Sequence, residues 1–143
     1  MKSFNIGVKA IIVRDSSILL LKRVKNDGYY WDMPGGRIDG DESFEEALER
    51  ELIEEIGGIS DIKVGKLTSV YRLPFDVENA HGLVLIFFKV SAKIFKIILS
   101  NEHAEYKWVR REELEKFLEA ESDMQELRQK AVREALVVGT DIF

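Results

Sequence analysis

Residues 36–58 read GRIDGDESFEEALERELIEEIGG, and this stretch decides how the rest of the chain is understood. Ser43 followed three residues later by Glu46 is a capping box, so a helix is expected to start there, with side chain and backbone amides satisfying one another. Gly57-Gly58 supplies the stop, so the predicted helix runs to about Ile56. Phe44, Ala47 and Leu48 begin an apolar stripe at helical spacing; seven residues on, the same line is occupied by Glu51, Glu54 and Glu55. Three carboxylates at i, i+3 and i+4 thus continue the buried stripe, while Leu52 and Ile56 keep the flank beside them apolar. Hard oxygen donors converging in this way suit Mg²⁺, with Mn²⁺ able to substitute. A generic glutamate-rich helix faces water, but this one follows a Gly-rich loop at fixed spacing.

Charge points the same way. The chain of 143 residues carries a net charge of -5, yet residues 39–55 contain nine acids and one base, Arg50. That segment holds -8 and the remainder sums to +3. Like charges three and four residues apart on a helix repel, so the concentration is unfavourable without a cationic partner. An overall acidic balance also argues against a nucleic-acid polymer held by diffuse electrostatics.

Outward from the helix, β-rich segments are expected at Phe4 to Val13 and Ile18 to Val24, joined through the turn-forming Asp15-Ser16-Ser17. Asn26-Asp27-Gly28 makes a loop leading into Tyr29 to Gly36, where Pro34 and the paired glycines interrupt regular structure. Further strands are predicted at Ile62 to Leu73, Leu83 to Ser91 and Tyr106 to Val109, then helices at Glu112 to Glu119 and Met124 to Val137. Strands on either side of one central helix, with helices at the end, suggest an α/β sandwich. Length fits one domain over residues 1–143. There is no cysteine and histidine occurs only as His81 and His103, which excludes a thiolate site, a disulfide framework and a multi-histidine metal centre. No apolar run reaches the roughly 20 residues of a membrane span and no signal core is visible, so no membrane association and a cytoplasmic location are expected.

Gly36, five residues, Glu42, seven residues, then Arg50-Glu51-Leu52-Ile53-Glu54-Glu55-Ile56-Gly57 resembles the signature box of the Nudix hydrolases, G-x5-E-x7-R-E-U-x-E-E-x-G-U with U apolar. At ~7% per specified position, seven coincident matches have a chance on the order of 10⁻⁸ per window. The last U position departs, holding Gly58, with Ile59 one place later. The resemblance is strong over residues 35–58 and looser elsewhere, through the strand order and the Trp31-Asp32-Met33-Pro34-Gly35-Gly36 approach.

The resemblance implies an α/β/α sandwich with a mixed β-sheet, and hydrolysis of a pyrophosphate bond in a nucleoside diphosphate linked to another group. It implies Glu51, Glu54, Glu55 and the Gly35 carbonyl as metal ligands, and Glu42 and Arg50, with Gly36, as the support of the box. Either Glu51 or a loop carboxylate then accepts the proton of the attacking water. Similar proteins often place such a carboxylate shortly before a Trp; before Trp108 the spacing does not choose between Glu102 and Glu105, and Glu105 is the expected one. His103 reads as a hydrogen-bonded structural or surface residue, not as the base.

The first 38 residues hold seven bases and three acids, so Lys22, Arg23, Lys25 and Arg37 are candidates to meet phosphates, and Tyr29, Tyr30, Trp31, Tyr71, Phe75 and Phe87 are the aromatic candidates for stacking on a base. The substrate class stays open among nucleoside triphosphates including oxidised ones, ADP-ribose and other nucleotide sugars, and dinucleoside polyphosphates. Pro74, sixteen residues beyond the box, has a spacing similar to that of ADP-ribose-hydrolysing members. The competing reading is a catalytically weak, nucleotide-sensing Nudix domain; a prenyl diphosphate isomerase on this scaffold would need a cysteine that the chain lacks. A homodimer stays open.

Overall fold

The first hairpin shows how local chemistry sets the register. Strand β1 (Asn5–Arg14) and strand β2 (Ser17–Lys25) meet through Asp15 and Ser16, whose φ angles of 50° and 63° place both in the left-handed region that a two-residue type I′ turn requires. The turn pairs Val13 with Ile18 and Arg14 with Ser17. A computed structural model of the chain describes residues 3–25, 28–73 and 81–117.

Beyond β2 come β3 (Gly28–Asp32), the short β4 (Gly35–Arg37), helix α1 (Phe44–Glu55), β5 (Ile56–Leu73), β6 (Leu83–Leu99) and β7 (His103–Arg110). A 3₁₀ turn (Arg111–Glu113) then leads into α2 (Leu114–Phe117). The strands form one mixed sheet in the order β3-β2-β1-β6-β5, with β4 also paired to β1 and β7 to β2. β1 and β6 run parallel over eight residue pairs, from Asn5↔Leu83 to Ile12↔Val90, and the other pairings are antiparallel. Because β1 touches β2 only beside the hairpin, the set β4-β1-β6-β5 and the set β3-β2-β7 diverge away from it.

Alternation along the strands makes two cores. Val8, Ala10 and Ile12, with Leu19 and Leu21, pack against Ala47, Leu48 and Leu52 of α1. Their neighbours Ile11, Ile18 and Leu20 point to the other side, with Met33, Leu85, Phe87 and Leu114. Phe117 packs on that second core, so α1 and α2 cover opposite faces of the sheet. The α/β class with a mixed sheet is therefore as expected. The predicted helix at Met124 to Val137, the end of the one at Glu112 to Glu119, and Pro74 lie outside the described residues. Among the described residues no helix is long and apolar enough to cross a membrane.

The predicted helix stop is corrected. Gly57 and Gly58 do not form a C-terminal cap; Ile56 is already extended (φ -125°, ψ 99°), its N–H donating to Leu52 O, and both glycines belong to β5. β5 begins six residues before its expected start and β6 runs eight residues past Ser91. The added lengths pair with each other, Ile56 with Leu99, Gly58 with Lys96 and Ile59 with Ile94, so cross-strand partners rich in isoleucine override the local glycine signal. β4 went unread because a three-residue strand has no periodicity to detect, and β7 starts at His103 instead of Tyr106.

Candidate active site

The box folds as two linked pieces. Ser43 Oγ accepts the Glu46 N–H (3.1 Å) and the Glu46 side chain accepts the Ser43 N–H (3.2 Å), so the capping box starts α1 as expected. Ahead of it, Glu42 Oε1 accepts the Asp39 N–H at 2.9 Å. Arg50, two turns into the helix, grips Glu42 in a bidentate pair, Nε to Oε2 at 2.6 Å and an Nη to Oε1 at 2.9 Å, and donates to the Arg37 carbonyl at 3.2 Å. The hydrogen bond from Arg50 holds the Glu42 carboxyl below its usual range, and Glu42 in turn raises the Arg50 pKa further. Arg50 also reaches Glu51 Oε1 at 3.0 Å and Glu54 Oε2 at 3.4 Å.

The three box glutamates differ in burial. The Glu54 side chain is 59% exposed, whereas Glu51 retains only 16% and Glu55 as a residue 3%. Gly36 allows the burial of Glu51: a β-carbon there would lie 2.6 Å from both oxygens of its carboxylate. Glu55 Oε2 accepts the Gly35 N–H at 3.0 Å. Burial pushes the Glu55 carboxyl up to about 8, Glu51 adding to the rise, against the pull of Lys9, the Gly35 amide and Arg23. Burial raises Glu51 as well, opposed by Arg50.

These groups face a cavity of about 520 Å³ between the diverging strand sets. Gly35, Gly36, Glu51, Glu54 and Glu55 line it together with Lys9, Arg23, Tyr30 and Asp32, and Arg37 and Glu102 also contribute. Arg23 is held charged: burial alone lowers its pKa, but Tyr30, Asp32, Glu55 and Glu102 outweigh that and raise it. The cavity lining thus carries both carboxylates and cations.

Of the residues singled out in the sequence, Gly35, Gly36, Arg23, Arg37, Glu51, Glu54 and Glu55 come together here. Glu105 is exposed on β7, opposite Lys22, and is not among the lining residues; Glu102, in the β6–β7 connection, is. Trp31 also stays apart, its ring edge-on to Phe117 (5.3 Å between centroids) and Lys22 Nζ 5.9 Å from its centre. His103 is buried, with Nδ1 3.3 Å from Ser100 Oγ; burial, then Arg23 and Lys9, lower its pKa to about 4. Sequence reasoning missed Lys9 and Asp32, whereas Tyr30, one of the aromatics that could stack on a base, does line the cavity. For Lys9 a signal existed, since a lysine inside the run Ile6 to Val13 shares the inward side of Ile11.

The donor set fits a divalent ion. Among the described residues no three acidic or imidazole side chains already converge as a metal cage. Mg²⁺ does not need one, because it keeps several waters and takes one or two carboxylates together with substrate phosphates. Burial raises the Glu51 and Glu55 carboxyls, and a bound divalent ion would favour their charged forms.

Comparison with known proteins agrees with this geometry. A family model described as NUDIX domain matches residues 4–131. The nucleoside triphosphatase NudI of Salmonella heidelberg is 35% identical over 114 residues, 73% of this chain and 80% of that protein. A putative 8-oxo-dGTP diphosphatase of Bacillus subtilis is 41% identical over 78 residues, 52% of this chain and 48% of that one. Among solved structures, the MutT protein from Methanosarcina mazei Go1 superposes with a TM-score of 0.67 at 30% identity, covering 93% of this chain and 96% of its own.

Proposed function

The chain belongs to the NUDIX domain family of hydrolases, and from that premise we propose that it is a divalent-metal-dependent pyrophosphohydrolase acting on a nucleoside triphosphate. The observation that carries this reading is the cavity whose lining joins Glu51, Glu54 and Glu55 with Lys9, Arg23 and Arg37. The triphosphate is favoured over ADP-ribose and dinucleoside polyphosphates because two relatives of this chain bear the names nucleoside triphosphatase and 8-oxo-dGTP diphosphatase.

Glu51, Glu54 and Glu55, with the Gly35 carbonyl, would hold Mg²⁺, or Mn²⁺ in its place. When bound, such an ion would neutralise phosphate charge and make a water more acidic. The chain's own residues do the remaining work. Arg23 and Arg37 receive the negative oxygens of the polyphosphate and orient it along the cavity. Arg50 ties the loop after β4 to α1 through Glu42 and the Arg37 carbonyl, which keeps the glycine pair and the glutamates in one frame. The proton of the attacking water passes to Glu51 or to Glu102, the loop carboxylate that lines the cavity.

The test is turnover of a nucleotide panel with Mg²⁺ or Mn²⁺, before and after chelation, with products identified. Release of a nucleoside monophosphate and pyrophosphate from a triphosphate, abolished by chelator and restored by Mg²⁺, is expected. Tight binding of nucleotides with no turnover of any of them would sink the proposal in favour of a sensing domain.

A further inference from the structure

Lys9 breaks the pattern of β1. It is 5% exposed within an otherwise apolar stretch, and its Nζ lies 2.9 Å from Oδ2 of Asp32, itself 8% exposed. Taking two charges out of water is costly, and a buried ion pair can often be replaced by apolar residues without loss of stability. Packing alone therefore gives no reason for this pair.

Its contacts give one. Asp32 Oδ1 accepts the Met33 N–H at 2.7 Å, and Lys9 Nζ also donates to the Met33 carbonyl at 3.4 Å. The backbone of the same strand holds the next residues: the Ala10 N–H donates to Pro34 O at 2.8 Å, and Lys9 is the ladder partner of Gly35. Gly35 in turn gives its N–H to Glu55 Oε2 at 3.0 Å. The path Lys9, Asp32, Met33, Pro34, Gly35, Glu55 is continuous, and all but its last member lie outside the Gly36 to Gly57 signature.

We propose that the Lys9–Asp32 ion pair is a positioning device for the active site, clamping the Met33-Pro34-Gly35 turn so that the Gly35 amide stays aimed at Glu55 and the Glu55 carboxylate stays at the cavity wall. The proposal deepens the functional reading above and rests on Glu55 being a ligand in it. Lys9 and Asp32 act through Gly35 and Glu55, so both are positioning residues.

The experiment compares the intact wild-type chain with Lys9→Met, Lys9→Arg and Asp32→Asn by three readouts. These are backbone amide exchange followed by NMR, Mn²⁺ affinity by calorimetry, and steady-state kinetics. In Lys9→Met the Gly35 amide should exchange about tenfold faster or more while amides of β1 and β6 keep their protection. Mn²⁺ affinity and kcat should each fall about tenfold with KM little changed, as expected when a group is displaced by a fraction of an ångström. Lys9→Arg should recover most of each. Unchanged Gly35 exchange, or uniform acceleration of every amide, would overturn the proposal, the second by reducing the pair to a structural one. Should Lys9→Met fail to fold, the double variant Lys9→Met/Asp32→Leu carries the same readouts. A wild-type chain inactive on every nucleotide would defeat the functional reading, while Gly35 exchange would still decide the role of the pair.

Discussion

Gly58 and Lys96 face each other across the β5–β6 ladder so closely that a β-carbon on Gly58 would overlap the Lys96 carbonyl oxygen. The residue that departs from the family signature is thus demanded by the strand pairing that begins directly after α1. Gly58→Val, which restores an apolar residue at that place, should destabilise the fold by about 3 kcal/mol through overpacking against main chain. Urea unfolding monitored by circular dichroism measures it, and an unchanged midpoint would refute the close-packed ladder.

Replacing Glu54 or Glu55 by Gln should lower kcat by about 100-fold or more, since even partners outside a metal's ligand set commonly cost ~10–100-fold. Gln at position 55 can still accept the Gly35 N–H, so melting temperature should hold. Wild-type turnover in either variant would remove that glutamate from the proposed ligand set.

Glu102 and Glu105 separate cleanly by position, one lining the cavity and the other exposed on β7. Glu102→Gln should reduce kcat by ~10²–10⁴-fold, the usual contribution of a positioned proton acceptor, or leave a smaller loss if Glu51 shares the duty. Glu105→Gln should be close to wild type. The reverse ranking in a side-by-side assay would return the role to Glu105.

His103 makes a pH prediction whose sign is fixed. Its pKa in the fold is about 4, below the unfolded value of 6.5, so the unfolded chain binds the proton more readily. Its contribution is fully present above pH 6.5 and is lost as pH falls from 6.5 toward 4. After allowance for solvent screening, His103 should account for about 1–2 kcal/mol of the stability lost over that window. Thermal melts of wild type and His103→Gln between pH 7 and 4.5 should converge as the pH drops; parallel curves would show that His103 does not charge in this range.

Sequence alone determined most of the helix and its chemistry. Ser43 and Glu46 start α1, and the placement of Glu51, Glu54 and Glu55 on one line follows from 3.6 residues per turn, because these are interactions between residues three to eight positions apart. The Arg50–Glu42 pair was implied by family resemblance, and its two hydrogen bonds give that support a geometry. The turn at Asp15-Ser16-Ser17 and the strand character of β1 and β2 were legible for the same local reason.

Tertiary structure decided what depends on partners far along the chain. Gly57-Gly58 reads locally as a helix stop, yet Leu99 and Lys96, about forty residues away, draw that segment into a strand. Lys9 and Asp32 are 23 residues apart and look like unrelated charges until the fold sets them 2.9 Å from each other in the cavity lining. Which of Glu102 and Glu105 lines the cavity, and how differently Glu54 and Glu55 are buried on one helical face, depend on the tertiary structure in the same way. Helical periodicity orients a side chain relative to its own axis, but burial, and with it the raised pKa of Glu55, is set by the strands and loops that close over that axis.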